Sequence, residues 1–180
     1  MSKKLDRKEK TNAKSALLAV SGGVDSIVLL DLLSKFIYNS EINQEINLNH
    51  PLTPIEIQIL EFINSHPISK LEVIYIDHSQ RDDTKEDIEQ IKKLTNKYKI
   101  KLHIQKLEIN KDASEDILRR LRYQEFEKIQ KKYKLDHLIT AHHADDVLET
   151  AIINIKRGTS PKGLSSLKHH KDGIWRPFLY

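Results

Sequence analysis

The stretch "ALLAVSGGVDSIVLLDLL", Ala16–Leu33, decides the reading of this chain. An apolar run breaks at Ser21-Gly22-Gly23, resumes at once, and leaves an aspartate, Asp25, at the junction. Leu17–Val20 reads as a short buried strand. Val24 to about Tyr38 reads as a helix, with Ile27, Leu30 and Ile37 marking one face. Glycine lets backbone approach a ligand and adopt conformations closed to other residues. A helix start presents free amides and a dipole that favours an anion. The junction therefore suits a phosphate, with Ser21, Gly22, Gly23, Val24, Asp25 and Ser26 as the candidate cradle. A carboxylate beside phosphates is repulsive unless a cation lies between them, so Asp25 implies Mg²⁺ held by one or two carboxylates plus phosphate oxygens. A plain strand-to-helix turn would need neither the paired serines nor the aspartate. The lysine and longer glycine spacing of a Walker A loop are missing. That favours holding pyrophosphate as a leaving group while the α-phosphorus is attacked.

Outward from this junction, strands alternate with helices. "PLTPIEIQILEFINSHP" has Thr53 as N-cap, Pro54 at the first helical position and Pro67 past the end, which predicts a helix over Ile55–Ser65. "LEVIYID", Leu71–Asp77, is a strand rich in β-branched residues. "DIEQIKKLTNKY" is an amphipathic helix carrying Ile88, Ile91 and Leu94, and "KLHIQKLEI" alternates as a strand. A long helix over Ser114–Lys132, a strand "HLITAHH", a helix over Ala144–Lys156 and a last extended "IWRPFL" complete the order. This predicts an α/β fold, a Rossmann-like, mainly parallel sheet with helices on both faces. In such sheets ligands sit beyond the carboxyl ends of the strands. Three polar clusters fall there: "SGGVDS", "DHSQRDD" and "AHHADD".

The third cluster offers His142, His143, Asp145, Asp146 and Glu149, the acids in the first turns of a helix where negative charge is favoured. Helix capping accounts for one acid and not for the set; a transition-metal centre of the two histidines and two aspartates is a further option. Arg119 and Arg122 stand three apart on one helix face, suited to forking onto a phosphate or to lying solvated. Asp77, His78 and Arg81 end the second strand. "KRGTSPKGL", with Lys156, Arg157, Gly158 and Gly163, reads either as a capped helix end or as a nucleic-acid or nucleotide contact.

The 180 residues carry 30 Lys+Arg against 26 Asp+Glu, a net charge of +4, and no cysteine. Disulfides and cysteine–zinc sites are thereby excluded. The mild basic excess suits a polyanion partner or simple solubility. No apolar run approaches the roughly 18–20 residues of a membrane span. The charged opening "MSKKLDRKEKTNAK" lacks the apolar core of a signal peptide. Residues 1–14 are expected to form a basic tail, 15–180 one catalytic domain, and 39–70 an insertion within it.

The chain resembles the PP-loop ATP pyrophosphatase superfamily, whose signature is SGGxDS after the first strand, and within it the tRNA(Ile)-lysidine synthetase family. The resemblance runs through "AVSGGVDSIVLLDLL", "IDHSQR", "SEDILRRLRYQEF", "AHHADDVLETAIINIKRGTSPKGL" and "RPF". It implies the adenine nucleotide alpha-hydrolase-like fold. It also implies an ATP- and Mg²⁺-dependent ligase that acts on tRNA(Ile) with a CAU anticodon and on free L-lysine. The 2-carbonyl oxygen of the wobble cytidine would attack the α-phosphorus of ATP, and the lysine ε-amine would then displace AMP. On this resemblance Ser21–Ser26 would hold pyrophosphate, Asp25 and Asp146 would hold Mg²⁺, and Arg119 and Arg122 would stabilise charge at the adenylate. His143 or a nearby carboxylate would take the amine proton. The implied setting is a bacterial cytoplasm or an organelle of bacterial descent; a homodimer stays open. The family's His-Gly-Leu-Arg is here His78-Ser79-Gln80-Arg81, and familiar members continue past the point matching Tyr180 into helical and tRNA-binding parts, which this chain is expected to lack. Other PP-loop enzymes, a metal-dependent phosphohydrolase and a non-catalytic nucleotide-binding module are the competing readings.

Overall fold

A computed structural model describes residues 13–38, 51–77, 84–107, 114–146, 148, 152, 170–171 and 173–179. The order is β1 (Lys14–Val20), α1 (Val24–Tyr38), α2 (Pro54–Ser65), β2 (Ile68–Asp77), α3 (Thr84–Lys97), β3 (Lys101–Lys106), α4 (Glu115–Tyr133), β4 (His137–Thr140), β5 (His170–Lys171), β6 (Ile174–Trp175) and a 3₁₀ turn at Pro177–Leu179. The six strands form one sheet in the order β3-β2-β1-β4-β6-β5. All neighbours are parallel except β5 with β6. The expected Rossmann-like α/β fold is thus present.

β1 occupies the centre and is buried on both faces. Ala16, Leu18 and Val20 pack with Leu29, Leu30, Leu33 and Phe36 of α1, Ile59 and Phe62 of α2, and Ile91 of α3. Leu17 turns the other way, onto Phe126 and Ile129 of α4, with Ile74 and Ile76 of β2 and Leu138 of β4. Two covered faces explain why β1 and β2 read as continuous apolar runs rather than alternating ones.

Several boundaries differ from the sequence reading. β1 begins at Lys14 and not Leu17, because its polar first residues pair through backbone: Lys14 with Ile68 and Ser15 with Lys70. For the same reason β2 takes in Ile68–Lys70, ahead of the expected Leu71. On α1 only Leu30 of the three expected face residues is fully buried; Leu29, Leu33 and Phe36 carry the contact, with Ile27 and Ile37 at its margin. The helix touches both the sheet and α2, so its buried surface is wider than one stripe. In "IWRPFL" only Ile174–Trp175 is strand. Pro177 lacks the amide that a ladder needs, and the chain turns there instead. The helix expected over Ala144–Lys156 is helical at 144–146, 148 and 152; its other residues lie outside the described set, as do His78–Asp83.

The start of α2 is as read from Thr53 and Pro54, with one addition. Glu56 completes a capping box: its Oε2 accepts from Thr53 N at 2.9 Å and Thr53 Oγ1 at 2.8 Å, while Glu56 N donates to Thr53 Oγ1. Glu56 Oε1 also meets Lys35 Nζ of α1 at 3.2 Å, tying α2 to α1. The Thr53 backbone and hydroxyl bonds, with Lys35 behind them, hold the Glu56 carboxyl down at about 2 against an ordinary 4.5. A carboxyl depressed by folding stabilises the native state above its unfolded value and loses that contribution as pH falls toward the folded one. We therefore expect unfolding free energy to decline between pH 4.5 and about 2. Chemical denaturation of Glu56→Gln across that window should show a shallower decline and lower stability at neutral pH.

Candidate nucleotide site

β1, β2 and β4 run parallel, so their carboxyl ends share one edge. The chain leaves β1 toward β2 on one side and β4 on the other, and a crevice opens at such a switch point. Here it is a cavity of about 540 Å³. Ser21, Gly23, Asp25 and Ser26 line it from the loop after β1, Asp77 from β2, and Thr140, His142, His143 and Asp146 from β4 and beyond. Arg119 and Arg122 of α4 face them across it. The first and third clusters read from sequence meet here, and of the second its one described residue, Asp77, joins them.

The loop is shaped by local bonds. Gly22 has φ +86°, a region that L side chains avoid, and a Cβ there would land on the Asp87 carboxylate. Gly23 has no such need: its Cβ would meet only Ser21 Oγ, at an ordinary 3.5 Å. Ser26 is buried; its hydroxyl donates to the Gly23 carbonyl at 2.8 Å and accepts from Ser21 N at 3.2 Å. Ser26, one of the candidate cradle residues, has its proton engaged inside the turn. The Val24 side chain is 77% exposed, and neither it nor Gly22 lines the cavity. Their place in the cradle is backbone only.

His143 is the hub of the opposite wall. Its amide donates to Asp146 Oδ2 at 2.7 Å, and its Nδ1 accepts from the Asp145 amide at 3.2 Å. These are the bonds of a helix N-cap, and they assign the neutral ring's proton to Nε2. Nε2 faces Asp25 Oδ2 at 3.6 Å and Asp146 Oδ2 at 3.8 Å. His143 Nε2 thus stands between two carboxylates that reach the cavity from different strand ends. Carboxylate oxygens are the kind of donor that Mg²⁺ takes. Asp145 is almost fully exposed, outside the lining, and Glu149 is not described. Among the described residues no three His, Asp or Glu side chains group as metal ligands, so the transition-metal option gains nothing.

His142 is held by Thr140 Oγ1 at 2.8 Å from its Nδ1. Burial lowers its pKa below the ordinary imidazole value; Asp146 opposes this, and Arg176, Arg119 and Arg122 add to it. His142 is therefore neutral near pH 7. Arg119 stacks toward the Tyr123 ring, 5.7 Å from its centroid. Residues the sequence did not single out also contribute: Asp87 and Thr84 from the first turn of α3, Tyr75 and Ile76 from β2, and Thr140. Asp87 and Thr84 carried no signal beyond lying at a helix start. Lys156 to Gly163 lie outside the described residues.

A glycine turn and helix start at the switch point of a parallel sheet, facing paired carboxylates and arginines, define a nucleotide-binding α/β domain. The chain belongs to the PP-loop domain family, whose model matches residues 1–180. It is 29% identical over 169 residues to the tRNA(Ile)-lysidine synthase of Thermotoga maritima, covering 91% of this chain and 34% of that one. With the enzyme of Lactobacillus johnsonii it shares 31% over 158 residues, 86% of this chain and 30% of the relative. With the chloroplastic enzyme of Gracilaria tenuistipitata it shares 32%, at 86% and 40%. The chain thus spans about a third of the length of these relatives. A U34-tRNA thiolase from Methanococcus maripaludis shares the fold, with a TM-score of 0.59 and 19% identity over 93% of this chain and 52% of that one. No described helix is long and apolar enough to cross a membrane.

Gly22→Ala should lose nucleotide binding, by isothermal titration with ATP, and cost about 1–2 kcal/mol in stability from the positive φ alone. Asp87→Ala in the same chain removes the carboxylate but leaves a Cβ 2.9 Å away and the positive φ, so it should recover none of that φ cost.

Proposed function

We propose that this chain carries the ATP-dependent ligation of L-lysine to the wobble cytidine of a CAU-anticodon tRNA(Ile). The observation that carries the reading is the convergence of the glycine loop, the Asp25–His143–Asp146 group and Arg119/Arg122 on one cavity. The relatives named as tRNA(Ile)-lysidine synthases support the substrate choice. The cytidine 2-carbonyl oxygen attacks the α-phosphorus of ATP, the bond to the β-phosphate oxygen breaks, and pyrophosphate leaves. The lysine ε-amine then attacks C2, the C2–O bond breaks, and AMP leaves with its oxygen. The modified base pairs with A instead of G. A cytoplasm, or an organelle of bacterial descent, is the setting that holds these substrates.

Each residue has a task in this scheme. Amides at the end of the loop, where α1 starts, bind the departing pyrophosphate, while those of Ser21 and Gly23 are held within the turn. Asp25 and Asp146 would hold Mg²⁺, which supplies charge neutralisation between these carboxylates and the phosphates. Arg119 and Arg122 reach in from α4 to stabilise charge at the α-phosphate. His143 or a nearby carboxylate would take the amine proton, with His143 Nε2 lying between Asp25 and Asp146. His142, neutral and fixed by Thr140, offers a hydrogen bond without adding charge.

The test supplies ATP, Mg²⁺, labelled lysine and a CAU-anticodon tRNA(Ile) transcript. Label in RNA with equimolar AMP is expected, and Asp25→Ala should reduce it by at least about 100-fold, the scale of losing one preorganised electrostatic group. Orthophosphate release without ATP would instead indicate the hydrolase. Absence of label from folded chain would defeat the lysine assignment.

A further inference from the structure

The sheet edge opposite the cavity has a chemistry that the proposed reaction does not use. There α3 runs into β3 and α4 into β4, and both turns are lysine-rich: Lys97, Lys99 and Lys101 in the first, Lys131, Lys132 and Lys134 in the second. All six are exposed. The turns meet at one ring: Lys101 Nζ lies 3.6 Å and Lys132 Nζ 5.5 Å from the Tyr133 centroid, and Tyr133 packs on His103 of β3.

Little cancels this charge. Lys131 pairs with Glu127 at 2.6 Å and Lys97 reaches Asp31 only at 4.0 Å. Among the described residues no carboxylate pairs with Lys99, Lys101, Lys132 or Lys134. Glu72 at this edge is buried and already bonded to Lys70 Nζ at 2.7 Å and His103 Nε2 at 2.6 Å. Asp136 is bonded to the Ser15 amide and hydroxyl.

Helix dipoles favour a lysine in the last turn, which accounts for Lys97, Lys131 and Lys132. They do not account for Lys99 and Lys134. These two have φ of 54° and 53°, and among the described residues they are the only non-glycines in that region. Both sit where a helix closes with the following amide bonding five residues back: Ile100 N to Thr95 O at 2.8 Å, and Leu135 N to Gln130 O at 2.9 Å. Glycine is the favoured residue at that position. Twice, at the same edge, backbone strain is accepted and a cation is gained.

We propose that this edge is a second RNA contact, binding the phosphate backbone of the substrate RNA away from its reacting base. Lysines read phosphate charge without sequence. A seven-residue strand spans about 23 Å, less than the roughly 16 base pairs of RNA duplex that a double-stranded-RNA-binding domain spans, so one structured RNA can reach both edges. The choice of RNA as the polyanion rests on the function proposed above.

The full chain and its Lys99→Gly/Lys134→Gly variant are titrated with a fluorescein-labelled RNA hairpin carrying a CAU loop, from about 50 to 200 mM salt. The slope of log K against log salt should fall by about 2 in the variant, with about tenfold weaker binding at the higher salt. Its melting temperature should hold or rise, since glycine relieves the strain. Lys92→Ala/Lys93→Ala, which removes equal charge from the exposed face of α3, should keep the parent slope. A variant slope equal to the parent's, or an equal fall in that control, overturns the proposal. AMP formation is read separately. A chain that binds with the expected slopes and makes no AMP sinks the catalytic reading alone. One that makes AMP while the variant keeps the parent slope sinks this one alone.

Discussion

The burial of β1 on both faces is the constraint from which the site follows. A strand with Ala16, Leu17 and Leu18 all at 0% exposure has no side on which to carry a polar group. Its polar chemistry is displaced to its ends. At the carboxyl end the strand stops at Val20, and the next residues are a serine and two glycines. The first amides of α1, unpaired as at any helix start, face the crevice that opens where neighbouring strands depart in opposite directions. The anion site therefore results from the core and does not have to be built separately from it.

The cavity is also sorted by charge. Asp25, Asp77, Asp87 and Asp146 come from α1, β2, α3 and the helical segment after β4, while Arg119 and Arg122 come from α4 alone. In the function proposed here, a nucleotide that enters with a cation would meet carboxylates on one wall, and its bare phosphate oxygens would meet guanidinium groups on the other. At the far edge of the same sheet, lysines gather at the amino ends of the strands. A net charge of +4 conceals this separation, because carboxylates outnumber arginines in the cavity lining while six lysines gather at the far edge.

Sequence patterns reveal what is local or strongly periodic. The Thr53 cap, the Pro54 start, the parallel α/β order and the polarity of three strand ends were all legible, because each rests on neighbours in the chain. Polar backbone pairing was not: Lys14 and Ser15 carry no β signal, and only the ladder to Ile68 and Lys70 makes them strand. Nor could sequence separate the two glycines, since Gly22 is required by a carboxylate sixty-five positions away, at Asp87, and Gly23 is not. Nor could it show that the Ser26 proton is engaged on the Gly23 carbonyl of its own turn, because that depends on how the loop closes.

The Gly22–Asp87 contact gives the loop a direction. The α3 carboxylate lies against the turn and lines the same cavity as His143, Asp146 and the α4 arginines. Its charge disfavours a bare phosphate beside it, while the guanidinium groups of Arg119 and Arg122 attract one. In the function proposed here, a polyphosphate gripped by its outer groups at the loop would extend its inner phosphorus toward those arginines, which is the approach that an incoming oxygen nucleophile needs. The first turn of α3, which contributes no reacting group to that scheme, would thereby help to set the polarity of the chemistry.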